Sequence, residues 1–215
     1  MTIVTRDARP DDAPFLAWVM LAASRSHLSY GLWEHFVGGT ERDCLRFLEK
    51  IALTKLPHLF HYVTFMVAEE DGKPVAGLSG YDPKDLGMMA FAQALPEVFE
   101  EIEWSKVDRK AAFERMKSYR ACIPDDAPDA WIIESVAAVP EVRRRGIVSM
   151  LLHEMILKGK GRGLKRAQIS VFIGNKAARG AYEKCGFRFV GEKRIPEFEA
   201  VYGDPGTARL VLEFN

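Results

Sequence analysis

The sequence predicts an α+β fold with about seven strands and several helices in one domain, residues 1–215. Three observations support this fold class. Strand-like and helix-like apolar patterns alternate along the chain. An Asp-Gly pair marks a tight turn between two strands. Glycines follow the last apolar-periodic residues of two helices, as at helix ends generally. With 48% apolar and 28% charged residues, the composition is that of an ordinary globular domain.

The first 81 residues are predicted to form a strand, two helices and a hairpin. Pro10 breaks the chain before the first helix, and Thr40 is placed to cap the second. Asp71 and Gly72 form the hairpin turn. Residues 26–39 are expected to be an aromatic loop. The predicted elements are a strand at 3–6, helices at 13–24 and 41–53, and strands at 61–68 and 74–81.

The rest of the chain begins with residues 82–129, where the pattern is helical and β-branched residues are few. We interpret this segment as a helical insert on the core fold. Beyond it, strand and helix patterns alternate again. The predicted elements are a strand at 131–139, a helix at 146–160, a strand at 166–172, a helix at 175–185, and strands at 187–191 and 208–214.

The charge distribution limits the classes of ligand. Lys plus Arg and Asp plus Glu each number 30, so the formal net charge is zero, which disfavours nucleic-acid binding as the main activity. Residues 141–194 nevertheless contain 14 basic and four acidic residues. This segment is suited to a polyanionic ligand.

Cysteine usage and apolar runs indicate the compartment. Cys44, Cys122 and Cys185 are far apart and have neither metal-ligand nor disulfide spacing, so we expect no metal and a reducing environment. The charged first twelve residues are not typical of a secretory signal, and the apolar run at 15–23 is too short to span a bilayer. We therefore expect a cytoplasmic protein without a membrane partner.

A basic turn between the apolar run 131–136 and the helix at 146–160 predicts a phosphate-binding site. It contains Arg143, Arg144, Arg145 and Gly146. A helix start has backbone N–H groups without partners and a partial positive charge, and both favour an anion. Solvated arginines at an ordinary junction are the alternative. A P-loop is not indicated, because no Gly-x-x-x-x-Gly-Lys-Ser/Thr stretch occurs.

A second motif, about thirty residues downstream of the basic turn, indicates which kind of phosphate-bearing ligand the turn binds. The chain matches Asn-x-x-Ala-x-x-x-Tyr-x-x-x-Gly-Phe at Asn175, Ala178, Tyr182, Gly186 and Phe187. Together with Arg143-x-x-Gly146, this resembles the GNAT superfamily of acyl-CoA N-acyltransferases, whose first motif is Arg/Gln-x-x-Gly-x-Gly/Ala. Val148 departs from that pattern, and its branched side chain occupies space near a pyrophosphate. The resemblance is firmest over residues 131–190, the expected acyl-CoA-binding core.

The resemblance implies a layered α/β/α fold: a mixed, mostly antiparallel twisted sheet with helices on both faces and the helical insert before the central strand. It also implies acetyl-CoA as cosubstrate. The end of the central strand would pair with the pantetheine arm, the helix start would take the pyrophosphate, and Tyr182 would protonate the leaving thiolate. The implied cofactor-binding residues are Val136, Ala137, Ala138, Arg143, Arg144, Arg145, Gly146, Ile147, Val148, Ser149, Asn175 and Ala178.

For the general base and the acceptor site, the sequence offers candidates but no motif. Glu134 lies in the apolar central strand, where burial raises a carboxyl pKa, and strand alternation places it on the same face as Ile132 and Val136. It is either the base, acting through water, or a structural carboxylate. The aromatic loop, with Tyr30, Trp33, His35 and Phe36, is expected to line the acceptor pocket under the insert.

These observations predict an N-acetyltransferase that moves an acetyl group from acetyl-CoA to a primary amine, by direct attack in a ternary complex. A small-molecule amine is the expected partner. A non-catalytic acyl-CoA-binding sensor or interaction module is the alternative, and Tyr182 argues against it. The sequence leaves open whether the chain forms a homodimer.

Overall fold

A computed structural model describes residues 2–214 as one seven-stranded sheet with helices on both faces. The strand order is β1-β2-β3-β4-β5-β7-β6, and every neighbouring pair is antiparallel except the parallel pair β4–β5. The predicted fold class is confirmed. The strands are β1 Ile3–Asp7, β2 Phe65–Glu70, β3 Lys73–Tyr81, β4 Ala130–Ala138, β5 Arg166–Phe172, β6 Arg188–Arg194 and β7 Gly206–Glu213.

The helices cover both faces of the sheet. Buried side chains of α1, α3 and α5 pack on one face, and those of α8 and α9 pack on the other. The helices are α1 Ala13–Arg25, α2 Leu32–Val37, α3 Glu41–Ala52, α4 Pro83–Leu86, α5 Met88–Glu101, α6 Lys106–Arg115, α7 Lys117–Cys122, α8 Ile147–Gly161, α9 Lys176–Lys184 and α10 Pro196–Tyr202.

Strand alternation explains why both faces of the sheet are apolar. In β2, Phe65 and Val67 belong to the core under α1, whereas Met66 and Ala68 belong to the core under α8. Successive side chains of a strand point to opposite faces, so a strand covered on both sides is a continuous apolar run. The sequence of β2 shows this pattern over its first four residues.

Two helices and one strand boundary differ from the sequence prediction. Residues 26–39 are not only a loop, because they contain α2, which is too short for a helical period to be recognised. Gly38 ends α2 with a left-handed φ of +71°. The short α10 was not predicted either. The strand expected at 61–68 begins at Phe65, because residues 62–64 form a 3-10 turn.

The central strand β4 carries an extra residue at its middle. Its register with β3 shifts between Gly77 and Ser79, and Ser135 has a left-handed φ of +52°. This β-bulge reverses the alternation beyond it. Ile132 packs under α1, whereas Val136 packs under α8. The prediction that Val136 shares a face with Ile132 and Glu134 is therefore wrong, because simple alternation takes no account of a bulge.

A buried histidine beside α3 couples the stability of the fold to pH. His58 is fully buried, its Nδ1 accepts a hydrogen bond from the Phe60 N–H at 3.1 Å, and its Nε2 lies 3.0 Å from Thr54 Oγ1. Burial lowers the pKa of His58 from 6.5 to about 3. The neutral ring therefore fits this site, and a second proton would remove the acceptor that the Phe60 N–H uses.

We expect acid to destabilise the protein through His58. The unfolded chain binds the histidine proton below about pH 6.5 and the folded chain does not, so stability falls as the pH falls through that value. Between pH 7 and pH 5 the loss from His58 should be about 2 kcal/mol. Urea unfolding at both pH values measures it, and His58→Gln should lose less stability over the same interval. An equal loss in both proteins would contradict this assignment.

Candidate active site

A cleft opens where β4 leaves its parallel neighbour β5. The two strands pair from Ala130 to Ile133, and the remaining residues of β5 pair only with β7. Beyond Ile133, one edge of β4 therefore has no strand beside it in the described part of the chain. The other edge stays on β3, where the Val139 N–H donates to the Val75 carbonyl at 2.9 Å. By alternation, the N–H and C=O of Val136 point away from β3, into the cleft.

The turn after β4 presents the start of α8 to this cleft. Gly146 is the N-cap residue, its φ is +81°, and among residues 2–214 no side chain caps the helix. A Cβ atom added to Gly146 would meet nothing within 4 Å, so the space beside its backbone is open. The N–H groups of Ile147, Val148 and Ser149 are in the first turn, where intrahelical partners are lacking. This arrangement is suited to an anion.

The three consecutive arginines have different surroundings. The Arg143 Nε donates to the Ala138 carbonyl at 3.2 Å. The Arg145 guanidinium donates to both carboxylate oxygens of Glu70 on β2, at 3.2 and 2.5 Å. Arg144 is exposed and has a left-handed φ of +63°. The sequence analysis predicted that all three arginines bind the cofactor, and nothing in the sequence indicated that Arg145 pairs with Glu70.

Asn175 joins the start of α9 to the end of α1. Its Oδ1 accepts a hydrogen bond from the Ala178 N–H at 3.0 Å, which makes it the N-cap of α9. Its Nδ2 donates to Ser26 Oγ at 2.7 Å. Asn175, the first residue of the second motif, therefore has a structural role as a helix cap. Binding of the coenzyme by Asn175 and Ala178, as predicted, would be a second role.

Tyr182 lies in the core between α9 and the sheet. It is 7% exposed, and its ring meets the edge of Phe187 at a centroid distance of 6.5 Å. Burial raises the pKa of Tyr182 above its usual value of 10. The phenol is therefore neutral at physiological pH and retains a proton that it can donate.

Glu134 is the one carboxylate among the predicted site residues. Its Oε1 is buried and has no hydrogen-bond partner within residues 2–214. Burial raises the pKa of Glu134 from 4.5 to about 7, with a smaller opposing effect of the Tyr81 hydroxyl and a further rise from the charge of Asp126. A carboxyl group with this pKa is present in both protonation states near neutral pH, which suits proton transfer.

A tyrosine cluster made of Tyr81, Tyr119 and Tyr202 was not predicted. Tyr81 and Tyr119 lie near Glu134, and Tyr202 lies beside Tyr119. Tyr81 is on β3, Tyr119 on α7 and Tyr202 on α10. Burial and then the charge of Glu134 raise the pKa of both Tyr81 and Tyr119. The rings of Tyr119 and Tyr202 are 6.0 Å apart, and the buried Tyr202 hydroxyl has no partner in the described part of the chain. They come from three separate segments, and no local motif marks them.

The aromatic residues in and just before α2 lie in two places. Some contact the tyrosine cluster, and others are packed in the core. His35 is 5.6 Å from Tyr202 and 6.2 Å from the half-exposed Tyr30, measured between ring centroids. Trp33 is instead packed in the core, 4% exposed, with Phe60 at 5.0 Å. Of the predicted acceptor residues, Tyr30 and His35 therefore reach the tyrosine cluster, whereas Trp33 holds α2 in place.

Helix α6 of the 82–129 segment fastens α2. The Arg115 Nε donates to the His35 carbonyl at 2.6 Å, and its Nη2 donates to the Phe36 carbonyl at 2.6 Å. A guanidinium at the carboxyl end of a helix satisfies free carbonyls and complements the helix dipole. The segment thus contributes Tyr119 and also positions His35.

Two cavities lie elsewhere, at the amino-terminal end of β4. One of about 280 Å³ is lined by Asp82 and Asp126 among others, and one of about 250 Å³ is lined by Trp131 and Met155. Both are below the size of typical cofactor pockets.

Within residues 2–214, no group of three or more His, Cys, Asp or Glu side chains is arranged to hold a metal ion. Among the helices described, none is long and apolar enough to cross a membrane.

Comparisons with known proteins agree with the observed fold. The model of the acetyltransferase (GNAT) family matches residues 30–187. A search of curated proteins found no significant match. A crystal structure described as an acetyltransferase is similar, with a TM-score of 0.71 and 19% identity over 99% of this chain and 100% of that one.

Two further structures share the fold. An N-acetyltransferase from Staphylococcus aureus Mu50 has a TM-score of 0.68 and 19% identity over 97% of this chain and 100% of that one. N-acetylglutamate synthase from Neisseria gonorrhoeae, complexed with coenzyme A and L-arginine, has a TM-score of 0.51 and 15% identity over 99% of this chain and 33% of that one.

Proposed function

Because the chain belongs to the GNAT acetyltransferase family, whose model matches more than half of its length, we propose that it transfers the acetyl group of acetyl-CoA to a small primary amine. Membership of this family supports acyl transfer from coenzyme A as the activity of the chain. The parting of β4 from β5 beside the uncapped start of α8 is the observation that carries the proposal. It offers an unpaired strand edge and an anion site next to each other.

The residues of the cleft fit the two ends of acetyl-CoA. The free edge at Val136, Ala137 and Ala138 can pair with the amide-rich pantetheine arm as an added strand would. The first N–H groups of α8, with Gly146 leaving the approach open, can bind the pyrophosphate. Arg143 and Arg144 add positive charge beside it. Asn175 and Ala178 border the arm from α9.

The proposed chemistry assigns one task to each group. Acetyl-CoA supplies an acetyl group activated as a thioester. A lysine-like amine, with a pKa of about 10.4, is almost wholly protonated at pH 7, so Glu134 takes its proton through water. The Val136 N–H donates to the thioester oxygen as it gains charge. Tyr182 donates its proton to the sulfur as the C–S bond breaks and the C–N bond forms.

Direct attack of the amine needs no nucleophile from the protein. Cys44 and Cys122 are buried, and burial raises the pKa of the Cys44 thiol to about 11. A thiol with such a pKa is almost entirely protonated and unreactive at neutral pH. The proposed route is a ternary complex of enzyme, acetyl-CoA and amine, with no covalent intermediate on Cys44 or Cys122.

The acceptor would bind at the tyrosine cluster next to Glu134. Aromatic walls are supplied by Tyr30, His35, Tyr119 and Tyr202, whose rings form a chain of contacts, and the last three come from α2, α7 and α10. Such walls favour a compact amine over a folded protein and can contact an ammonium group through their ring faces. Screening purified protein against a panel of amines, with release of free thiol as readout, tests this choice.

We expect acetyl-CoA to bind at the turn with a salt-dependent affinity. Arg143→Gln should raise the Kd of acetyl-CoA about 10-fold, because one cation near the pyrophosphate is lost. Arg188→Gln, a change of the same charge at an exposed site on β6, should leave the Kd unchanged. Isothermal calorimetry measures both. Absence of binding heat with wild-type protein at millimolar acetyl-CoA would overturn the proposed function.

Tyr182→Phe should lower kcat while leaving the Kd of acetyl-CoA nearly unchanged. The hydroxyl acts on the departing sulfur, so its loss affects the transition state, and a general acid typically contributes about 10- to 1,000-fold. Single-turnover measurement of acetyl transfer isolates the chemical step. A single-turnover rate equal to that of wild type would assign the proton to another group.

Glu134→Gln should remove the part of the rise of kcat/KM with pH that comes from ionisation of Glu134. In wild type, the carboxylate form that accepts a proton is present above about pH 7, so kcat/KM should rise with pH up to that value. Deprotonation of the amine also raises the rate, and it does so equally in both proteins. The ratio of wild-type to variant kcat/KM therefore isolates Glu134, and it should increase from pH 5.5 to pH 8. A constant ratio would show that Glu134 is structural.

A further inference from the structure

The turn before α8 is bonded to a neighbouring strand through one ion pair. Arg145 donates through Nη1 and Nη2 to the two carboxylate oxygens of Glu70, the last residue of β2. We propose that Arg145 does not bind the coenzyme phosphates but tethers the turn, and that Glu70 is a positioning residue for coenzyme binding. This inference rests on the proposed coenzyme site.

The turn has few bonds of its own to fix its shape. Its backbone is held by the Arg143 N–H to the Pro140 carbonyl at 3.3 Å, and the next bond runs from the Met150 N–H to the Gly146 carbonyl. Arg144 and Gly146 both have left-handed backbone conformations, and such a conformation is costly for a non-glycine residue. Three adjacent arginines also repel one another. The shape that exposes the α8 N–H groups therefore needs an outside support.

Glu70 is well placed to provide that support. It lies in the sheet, paired with Ile3 of β1 and Lys73 of β3, and it immediately precedes the tight Asp71-Gly72 turn of the hairpin. Its side chain is 16% exposed, so the pair is partly shielded from water. Bonding through two parallel N–H···O contacts fixes the direction of the guanidinium as well as its distance.

The pairing also determines which arginines supply charge to the ligand. A guanidinium whose donors face a carboxylate is neutralised by it, so Arg145 adds little potential at the α8 start. The Glu70 pKa is lowered by its bond to Arg145, so the pair stays ionised at neutral pH. Arg144, which is exposed and beside the open Gly146, and Arg143 remain for the phosphates.

Exchange of the two charges separates a tether from a phosphate ligand. Arg145→Glu alone should raise the Kd of acetyl-CoA about 10- to 100-fold, because two carboxylates then repel and the turn is released. The double variant Glu70→Arg/Arg145→Glu restores the pair with reversed sign and should bring the Kd back to within about threefold of wild type. If Arg145 contacts phosphate, the exchange leaves a glutamate there, and the Kd stays as high as in Arg145→Glu.

A matched control removes the effect of overall charge. Arg145→Glu/Glu100→Arg, with Glu100 exposed on α5 at the opposite face of the sheet from α8, has the same net charge as wild type but cannot form the pair, so its Kd should remain raised by about 10-fold or more. An affinity regained equally in both double variants would mean that only long-range charge matters, and would overturn the tether. Calorimetry gives the Kd, and thermal unfolding confirms that each variant is folded.

A milder substitution covers the case in which the exchange variant does not fold. In Arg145→Lys, one ammonium replaces two fixed N–H donors, so a tether should weaken and the Kd should rise several-fold. A Kd within about twofold of wild type would point to a simple charge contact and overturn the tether. Wild-type protein that binds no acetyl-CoA would overturn the coenzyme site itself, which is a distinct result.

Discussion

The left-handed backbone of Ser135 is the constraint on which the rest of the site depends. Such a conformation costs a non-glycine residue about 1 kcal/mol or more, and it persists because β3 pairs with β4 on both sides of it. Ser79 adds a hydrogen bond from its hydroxyl to the Glu134 carbonyl. The extra residue lies just beyond Ile133, where the pairing of β4 with β5 ends, and it places Glu134 and Val136 on opposite faces of the sheet. The cleft, the free strand edge and the separate setting of the carboxylate thus meet at one irregular residue.

The two halves of the site have opposite electrostatic requirements, and the bulge keeps them apart. On the α8 side, uncapped N–H groups and exposed arginines favour an anion. On the other side, Glu134 lies beside Tyr81 and Tyr119, where burial raises its carboxyl pKa to about 7. A carboxylate next to the anion site would weaken anion binding by repulsion, and an arginine next to Glu134 would lower the carboxyl pKa that suits the proposed role as base.

Local patterns in the sequence predicted most of the fold and part of the site. The alternating runs, the Asp71-Gly72 turn and the helix-ending glycines are signals within a few residues, and the two motifs identified the family. The bulge at Ser135 was missed because no residue type requires it. Tyr119, Tyr202 and the Glu70 partner of Arg145 were missed because tertiary packing brings them together from distant segments, and α2 and α10 are too short to show a period.

A crystal structure of the protein with coenzyme A tests the central claim most directly. The account predicts that an amide of the pantetheine arm is hydrogen-bonded to the cleft-facing backbone of Val136, with the pyrophosphate on the N–H groups of Ile147 to Ser149. It also predicts the Arg145–Glu70 pair intact beside the ligand. Coenzyme bound away from the β4 edge, or with its pyrophosphate remote from the start of α8, would contradict the account.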